Sequence, residues 1–184
     1  MRLLGRIALV AGLAYVARAG IRSHNASPTI VILVRHADKA ATPTIDPPLT
    51  AAGETRARDL AHDLKNAGVS AIITTNFIRT KATAAPTAAA LSIKPEIVDL
   101  PTRDRGHVGA VVAAIRRHTG HTVLVVSHME TAADIVGALG ATPPPGMCAW
   151  TYDQMYVVTI PPSGAPSVIR TRYGAASPAC DRMP

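Results

Sequence analysis

Two apolar runs, each ending on a histidine, constrain this chain more than anything else in it. Ile30-Val31-Ile32-Leu33-Val34 leads into Arg35-His36-Ala37, and Thr122-Val123-Leu124-Val125-Val126 leads into Ser127-His128. Continuous β-branched runs without polar alternation suit strands covered on both faces, as in a parallel sheet between helical layers. Reactive side chains at the ends of such strands face the crevice in which α/β sheets bind their ligands.

The rest of the chain alternates in the same sense. Its periodicity predicts a helix over 50–67, with Leu60 and Leu64 on one face and Glu54, Arg56, Arg58 and Asp59 largely on the other, stopped by Gly68. A buried strand at 71–74, an alanine-rich helix over 79–91 bent or interrupted near Pro86, and a short strand over 95–100 follow. A helix over 107–118, the strand ending at His128, a helix over 131–139 and a last strand over 155–160 complete the pattern. Strands alternating with helices form a three-layer α/β/α sandwich with a mostly parallel central sheet. A chain of 184 residues with 48% hydrophobic content supports one core. That domain is placed at 29–161, with residues 162–184 as a loose C-terminal tail.

Residues 1–19 are read separately. Arg2 and Arg6 precede an apolar stretch over 7–17, and Ala17-Arg18-Ala19 forms an A-x-A cleavage signature, the pattern of a secretory signal peptide. Residues 20–28 then act as a linker. The stretch is short for a membrane span; an uncleaved anchor is the alternative, and the only one that would bring the protein to a membrane. The three arginines of this segment supply part of the formal charge of +7, and aromatic residues make up only 3%. Without aromatics interleaved among basic residues, a stacking platform for single-stranded nucleic acid is excluded. Export implies a periplasmic or secreted protein. In such a compartment Cys148 and Cys180 either pair, tying the tail to the loop before the last strand, or stay as two buried thiols.

Four motifs stand in order: Arg35-His36-Ala37, Pro48-Leu49-Thr50-Ala51-Ala52-Gly53, Arg79-Thr80-Lys81-Ala82-Thr83-Ala84, and Ser127-His128. Together they resemble the histidine phosphatase superfamily, also called phosphoglycerate mutase-like, over about residues 29–160, and are most similar to its small exported members. The resemblance implies that His36 accepts the phosphoryl group, that Arg35 and Arg79 bind phosphate, and that His128 stabilises the transferring group. The chemistry suits these residue types. A neutral imidazole offers a lone pair once its other nitrogen is hydrogen-bonded, and planar guanidinium forks match phosphate oxygens. His128 serves as a cation or as a neutral donor, and the N–H groups opening the next helix favour the same anion. No cofactor is implied. Two converging arginines repel a cation, which argues against His36, Asp38 and His128 as metal ligands.

The chain departs from the pattern in two places. Ala37 replaces a glycine, and Met129-Glu130-Thr131 follows the distal histidine. Glu130 is either an early-helix acid favoured by the helix dipole or the proton donor to the leaving oxygen. Asp99 and Asp104 are alternative donors by position, and Asp38 and Lys39 either shape the pocket mouth or are loop charges. The implied activity is a phosphomonoesterase acting on a phosphorylated small molecule or phosphoprotein. The alternatives are a phosphohistidine or phosphoprotein phosphatase, and a non-catalytic module that binds phosphorylated ligands. The leader carries its own test: intact-mass measurement of protein from the cell envelope should give a mature N-terminus at or near Gly20, and a full-length cytoplasmic product would refute export.

Overall fold

The apolar runs form the two central strands of one six-stranded sheet. The computed structural model describes residues 27–100 and 106–180; the leader, most of the linker and Asp104 lie outside the described residues. The strands are β1 (Thr29–Arg35), β2 (Val69–Thr75), β3 (Glu96–Val98), β4 (Thr122–Ser127), β5 (Gln154–Ile160) and β6 (Ser167–Arg172). The helices are α1 (Ala51–Leu64), α2 (Ile78–Leu91), α3 (His107–Arg116) and α4 (Met129–Ala138). Spatial order is β3-β2-β4-β1-β5-β6. The first four strands in sequence are mutually parallel, whereas β5 runs antiparallel to both β1 and β6.

Why the runs are continuously apolar is visible in the packing. Val31, Leu33, Val123 and Val125 face a core shared with Val111 and Ile115 of α3 and Ile135 and Val136 of α4. Their neighbours Ile32, Val34, Leu124 and Val126 face a second core with Leu60 and Leu64 of α1 and Ala84 of α2. Each strand therefore buries both faces, and polar alternation would leave unpaired polar groups inside. Two expectations need correction. Helix α2 runs through Pro86 without interruption. Over residues 162–180 the loose tail is also replaced by structure: β6 pairs along β5, Arg56 donates to the Ala175 carbonyl at 2.6 Å, and Cys148 and Cys180 form a disulfide with Cα atoms 5.7 Å apart. As an edge strand, β6 leaves most of its side chains exposed, so it lacks the apolar run that marks the central strands.

The Pro-Leu-Thr-x-x-Gly motif fastens α1 beneath the segment that follows His36. Thr50 caps the helix, its Oγ1 accepting from the Gly53 N–H at 3.1 Å, and its own N–H donates to the Asp38 carbonyl at 2.9 Å. A Cβ at Gly53 would overlap that carbonyl oxygen. The Asp38 carboxylate is no loose charge either, since it accepts from Arg56 Nε at 2.7 Å. Gly53→Ala should therefore cost about 1–3 kcal/mol through overpacking against backbone. Urea denaturation tests this: the midpoint should fall with the slope unchanged, and an unaltered midpoint would show that the close approach is dispensable.

Candidate active site

Register brings the two histidines together. Arg35 lies opposite Ser127 in the β1–β4 ladder, and the His36 N–H continues it by donating to the Ser127 carbonyl at 2.9 Å. The His36 and His128 rings then meet edge to face, their centroids 5.5 Å apart. Both residues are buried.

His36 Nδ1 lies 2.9 Å from the Ala37 carbonyl, which can only accept, so Nδ1 carries the proton and the Nε2 lone pair is left available. Thr83 holds this turn from behind, its Oγ1 accepting from the Ala37 N–H at 2.9 Å while donating to the Arg79 carbonyl at 2.8 Å. Burial pushes the His36 pKa down to about 3, and Arg35, Arg79 and Lys39 push in the same direction against the Ala37 hydrogen bond. The ring is thus neutral at physiological pH.

His128 occupies the other side. Arg79 Nη2 is 3.4 Å from its Nδ1 and can only donate, so the proton sits on Nε2, which donates to Thr75 Oγ1 at 3.1 Å. Thr75 Oγ1 in turn contacts Thr80 Oγ1 at 2.8 Å, and Thr80 bonds the Phe77 carbonyl at 2.9 Å. Burial, then the neighbouring His36, Arg79, His107 and Arg35, lower the His128 pKa to about 3. Of the two forms the sequence allowed for this residue, cation or neutral donor, the structure holds the neutral one. Helix α4 starts at Met129, two residues earlier than expected, so its first turn opens directly after His128.

The arginines complete the centre. Arg35 Nη1 donates to the carbonyls of Cys148, Ala149 and Thr151 at 3.0, 2.8 and 3.1 Å, and its Cζ lies 4.1 Å from the centre of the Tyr152 ring. Arg79 stacks on Phe77 with its Cζ 4.2 Å from the ring centre, and its Nη1 is 3.4 Å from Asp46 Oδ1. The Nε atoms of both arginines are buried and have no hydrogen-bond partner. Unpaired donors inside a protein are costly, and on two cations beside a pair of neutral histidines they fit an anion such as phosphate.

The structure thus gathers Arg35, His36, Arg79 and His128. Glu130 is exposed in the first turn of α4, with its charge acting on Arg35 and Arg79. Asp99 is exposed near α3, where its backbone carbonyl accepts from His107. Among the described residues no cluster of histidine, cysteine, aspartate or glutamate has the makings of a metal site. Sequence reasoning missed Asp46 and Tyr152. Asp46 accepts from the Ile78 N–H at the start of α2, at 3.0 and 3.2 Å, and its only local signal is its place before Pro47-Pro48. Tyr152 packs against Arg35 and lies 6.0 Å from the His36 ring, in a loop with no motif of its own.

Comparison with known proteins agrees with this geometry. A sequence model of the histidine phosphatase superfamily (branch 1) matches residues 31–100. Among solved structures, the protein histidine phosphatase SixA complexed with tungstate is 26% identical, with a TM-score of 0.61 covering 78% of this chain and 96% of that one. A mycobacterial glucosyl-3-phosphoglycerate phosphatase is 12% identical, with a TM-score of 0.59 over 81% of this chain and 100% of that one. A phosphoserine phosphatase from Entamoeba histolytica in complex with 3-phosphoglyceric acid is 15% identical, with a TM-score of 0.58 over 80% and 98%. No protein of curated function matches the sequence.

The lowered histidine pKa values predict an acid-sensitive fold. In the unfolded chain a histidine titrates near 6.5, so as pH falls from there toward about 3 the unfolded state takes up protons that folded His36 and His128 refuse. Their contribution is complete above about pH 6.5 and is lost on acidification. His36→Gln removes one of these groups. Urea titrations from pH 7.5 to 4 should show wild type losing more stability than the variant, and parallel losses would place His36 in a solvated setting.

Proposed function

Because the chain belongs to the histidine phosphatase superfamily, we propose that it is a phosphatase that hydrolyses phosphate monoesters through a phosphohistidine on His36. One observation carries the reading: His36 is neutral, with its Nδ1 proton committed to the Ala37 carbonyl and Nε2 free beside two arginines whose Nε donors are unpartnered. In this reading the substrate phosphoryl group takes those donors. His36 Nε2 attacks phosphorus, the ester P–O bond breaks, and the phosphoryl group resides on the ring. Water then attacks the phosphohistidine, releasing inorganic phosphate and restoring His36. Positioning and charge stabilisation carry such transfers. Arg35 and Arg79 are the fixed donors, and His128 stabilises the group in flight. No metal or cofactor enters the scheme.

Protein-borne phosphohistidine is the second reading for the substrate, supported by the 26% identity to a protein histidine phosphatase over 96% of that chain. The Cys148–Cys180 disulfide supports work in an oxidising compartment, in line with export.

Brief mixing with a labelled aryl phosphate and quenching in base should trap a phosphoenzyme stable to alkali and labile to acid. His36→Ala should abolish both it and turnover, whereas His128→Ala should keep the acceptor and slow its phosphorylation. Chelators should leave activity unchanged. Wild-type turnover by His36→Ala, or loss of activity on metal removal, would overturn the scheme. Absence of turnover with intact phosphate binding would instead identify a non-catalytic binding module.

A further inference from the structure

The reaction above needs a proton for the departing oxygen, and the carboxylates around the centre are poorly placed to give one. Asp38 is committed to Arg56, and Asp46 to Arg79 and the start of α2. Glu130 and Asp99 are exposed, with no side-chain hydrogen bond among the described residues. Tyr152 is different. Its ring packs under the Arg35 guanidinium, 4.1 Å from Cζ, and lies 6.0 Å from the ring of His36. The phenol also acts electrostatically on Arg79, as it does on Arg35. Its hydroxyl has no partner among the described residues, and the side chain is only half-buried.

Resting on the reading of His36 as phosphoryl acceptor, we propose that the Tyr152 hydroxyl is the proton donor to the leaving oxygen. As His36 Nε2 forms its bond to phosphorus and the ester P–O bond breaks, the Tyr152 proton passes to the leaving oxygen, giving a neutral alcohol and a phenolate. Arg35 and Arg79 offset that new negative charge. In the second step water attacks the phosphohistidine, its proton returns to the phenolate, and the P–N bond breaks. The enzyme is then unchanged, and one water has been consumed per phosphate released.

The loop backbone that carries this side chain is held from several sides. Three of its carbonyls accept from Arg35, and the Tyr152 N–H donates to Ser177 Oγ at 3.0 Å. Buried Asp153 accepts from Arg172 at 2.7 Å and from the Ser177 N–H at 3.0 Å, and the disulfide joins Cys148 to the same tail. A rigid mounting of this kind keeps a donor within reach of the leaving atom.

Tyr152→Phe keeps the ring against Arg35 and removes only the O–H. The test compares kcat/KM, which reports the phosphorylation step, on p-nitrophenyl phosphate and on a primary alkyl phosphate. A nitrophenolate leaves without help and an alkoxide does not, so the variant should lose roughly 10²–10⁴-fold on the alkyl ester and less than about threefold on the nitrophenyl ester. Equal losses on both substrates would mean that Tyr152 only positions Arg35, and undiminished activity on the alkyl ester would also overturn the assignment. So would a leaving-group dependence that steepens in Glu130→Gln rather than in Tyr152→Phe. The underlying reading has its own control, since failure of the wild-type enzyme to form an alkali-stable phosphoenzyme from p-nitrophenyl phosphate would refute His36 as acceptor whatever Tyr152 does.

Discussion

The site depends on the parallel register of β1 against β4. Arg35 opposite Ser127 puts His36 and His128 one step beyond paired strand ends, and the hydrogen bond from the His36 N–H to the Ser127 carbonyl extends the pairing into the site. A slip of one residue would turn every side chain of a strand to the other face. Here that slip is blocked from both sides, because alternate residues of each strand fill separate cores, Val31 and Leu33 in one and Ile32 and Val34 in the other. Hydrophobic packing thus fixes the alignment, and the chemistry at the strand ends inherits its precision.

Arg35 carries the second constraint. A buried guanidinium needs acceptors, and one of its nitrogens takes three carbonyls from the Cys148–Thr151 loop. Satisfying that nitrogen folds the loop over the site and sets Tyr152 against both Arg35 and His36. The β6 strand and the tail then brace the loop through Ser177, Arg172 and the disulfide. Residues far apart in the chain are drawn into one structure because a cation at a strand end cannot be left unpaired. Its Nε is nonetheless without a partner, and so is that of Arg79. Departures of this kind from full hydrogen-bond satisfaction concentrate at functional sites.

What could be read from the sequence follows the same division. The central strands and α1 were legible because each buries enough apolar surface to leave a periodic signal, and Arg35, His36, Arg79 and His128 were legible because they stand in short motifs at strand or helix ends. The roles of Thr80 and Thr83 were not. They act as a relay to the ring of His128 and a brace behind Ala37, through contacts that sequence spacing does not reveal. Strand β6 escaped notice because an edge strand with exposed side chains has no burial pattern. Tyr152 and Asp46 escaped because each reaches the centre from a loop whose path is set by tertiary contacts: Arg35 in one case, the start of α2 in the other.

The electrostatics of the centre follow from the same burial. Removing water from His36 and His128 between two fixed cations makes protonation unfavourable, so both rings are neutral. For His36 this is the state that can attack. For His128 it means that Nδ1 is an acceptor, occupied by Arg79. A phosphate dianion between the arginines would act on both terms at once: it competes with His128 for Arg79, and its charge favours a proton on the imidazole. The same ring then has an N–H to offer toward phosphate in place of a lone pair. In the proposed reaction, cationic character at His128 would thus arise only with phosphate bound, while His36, turned to the Ala37 carbonyl through its protonated nitrogen, has Nε2 available. Two histidines of equal burial differ because their Nδ1 atoms are tied differently, one to a carbonyl that can only accept and the other to a guanidinium for which an anion would compete.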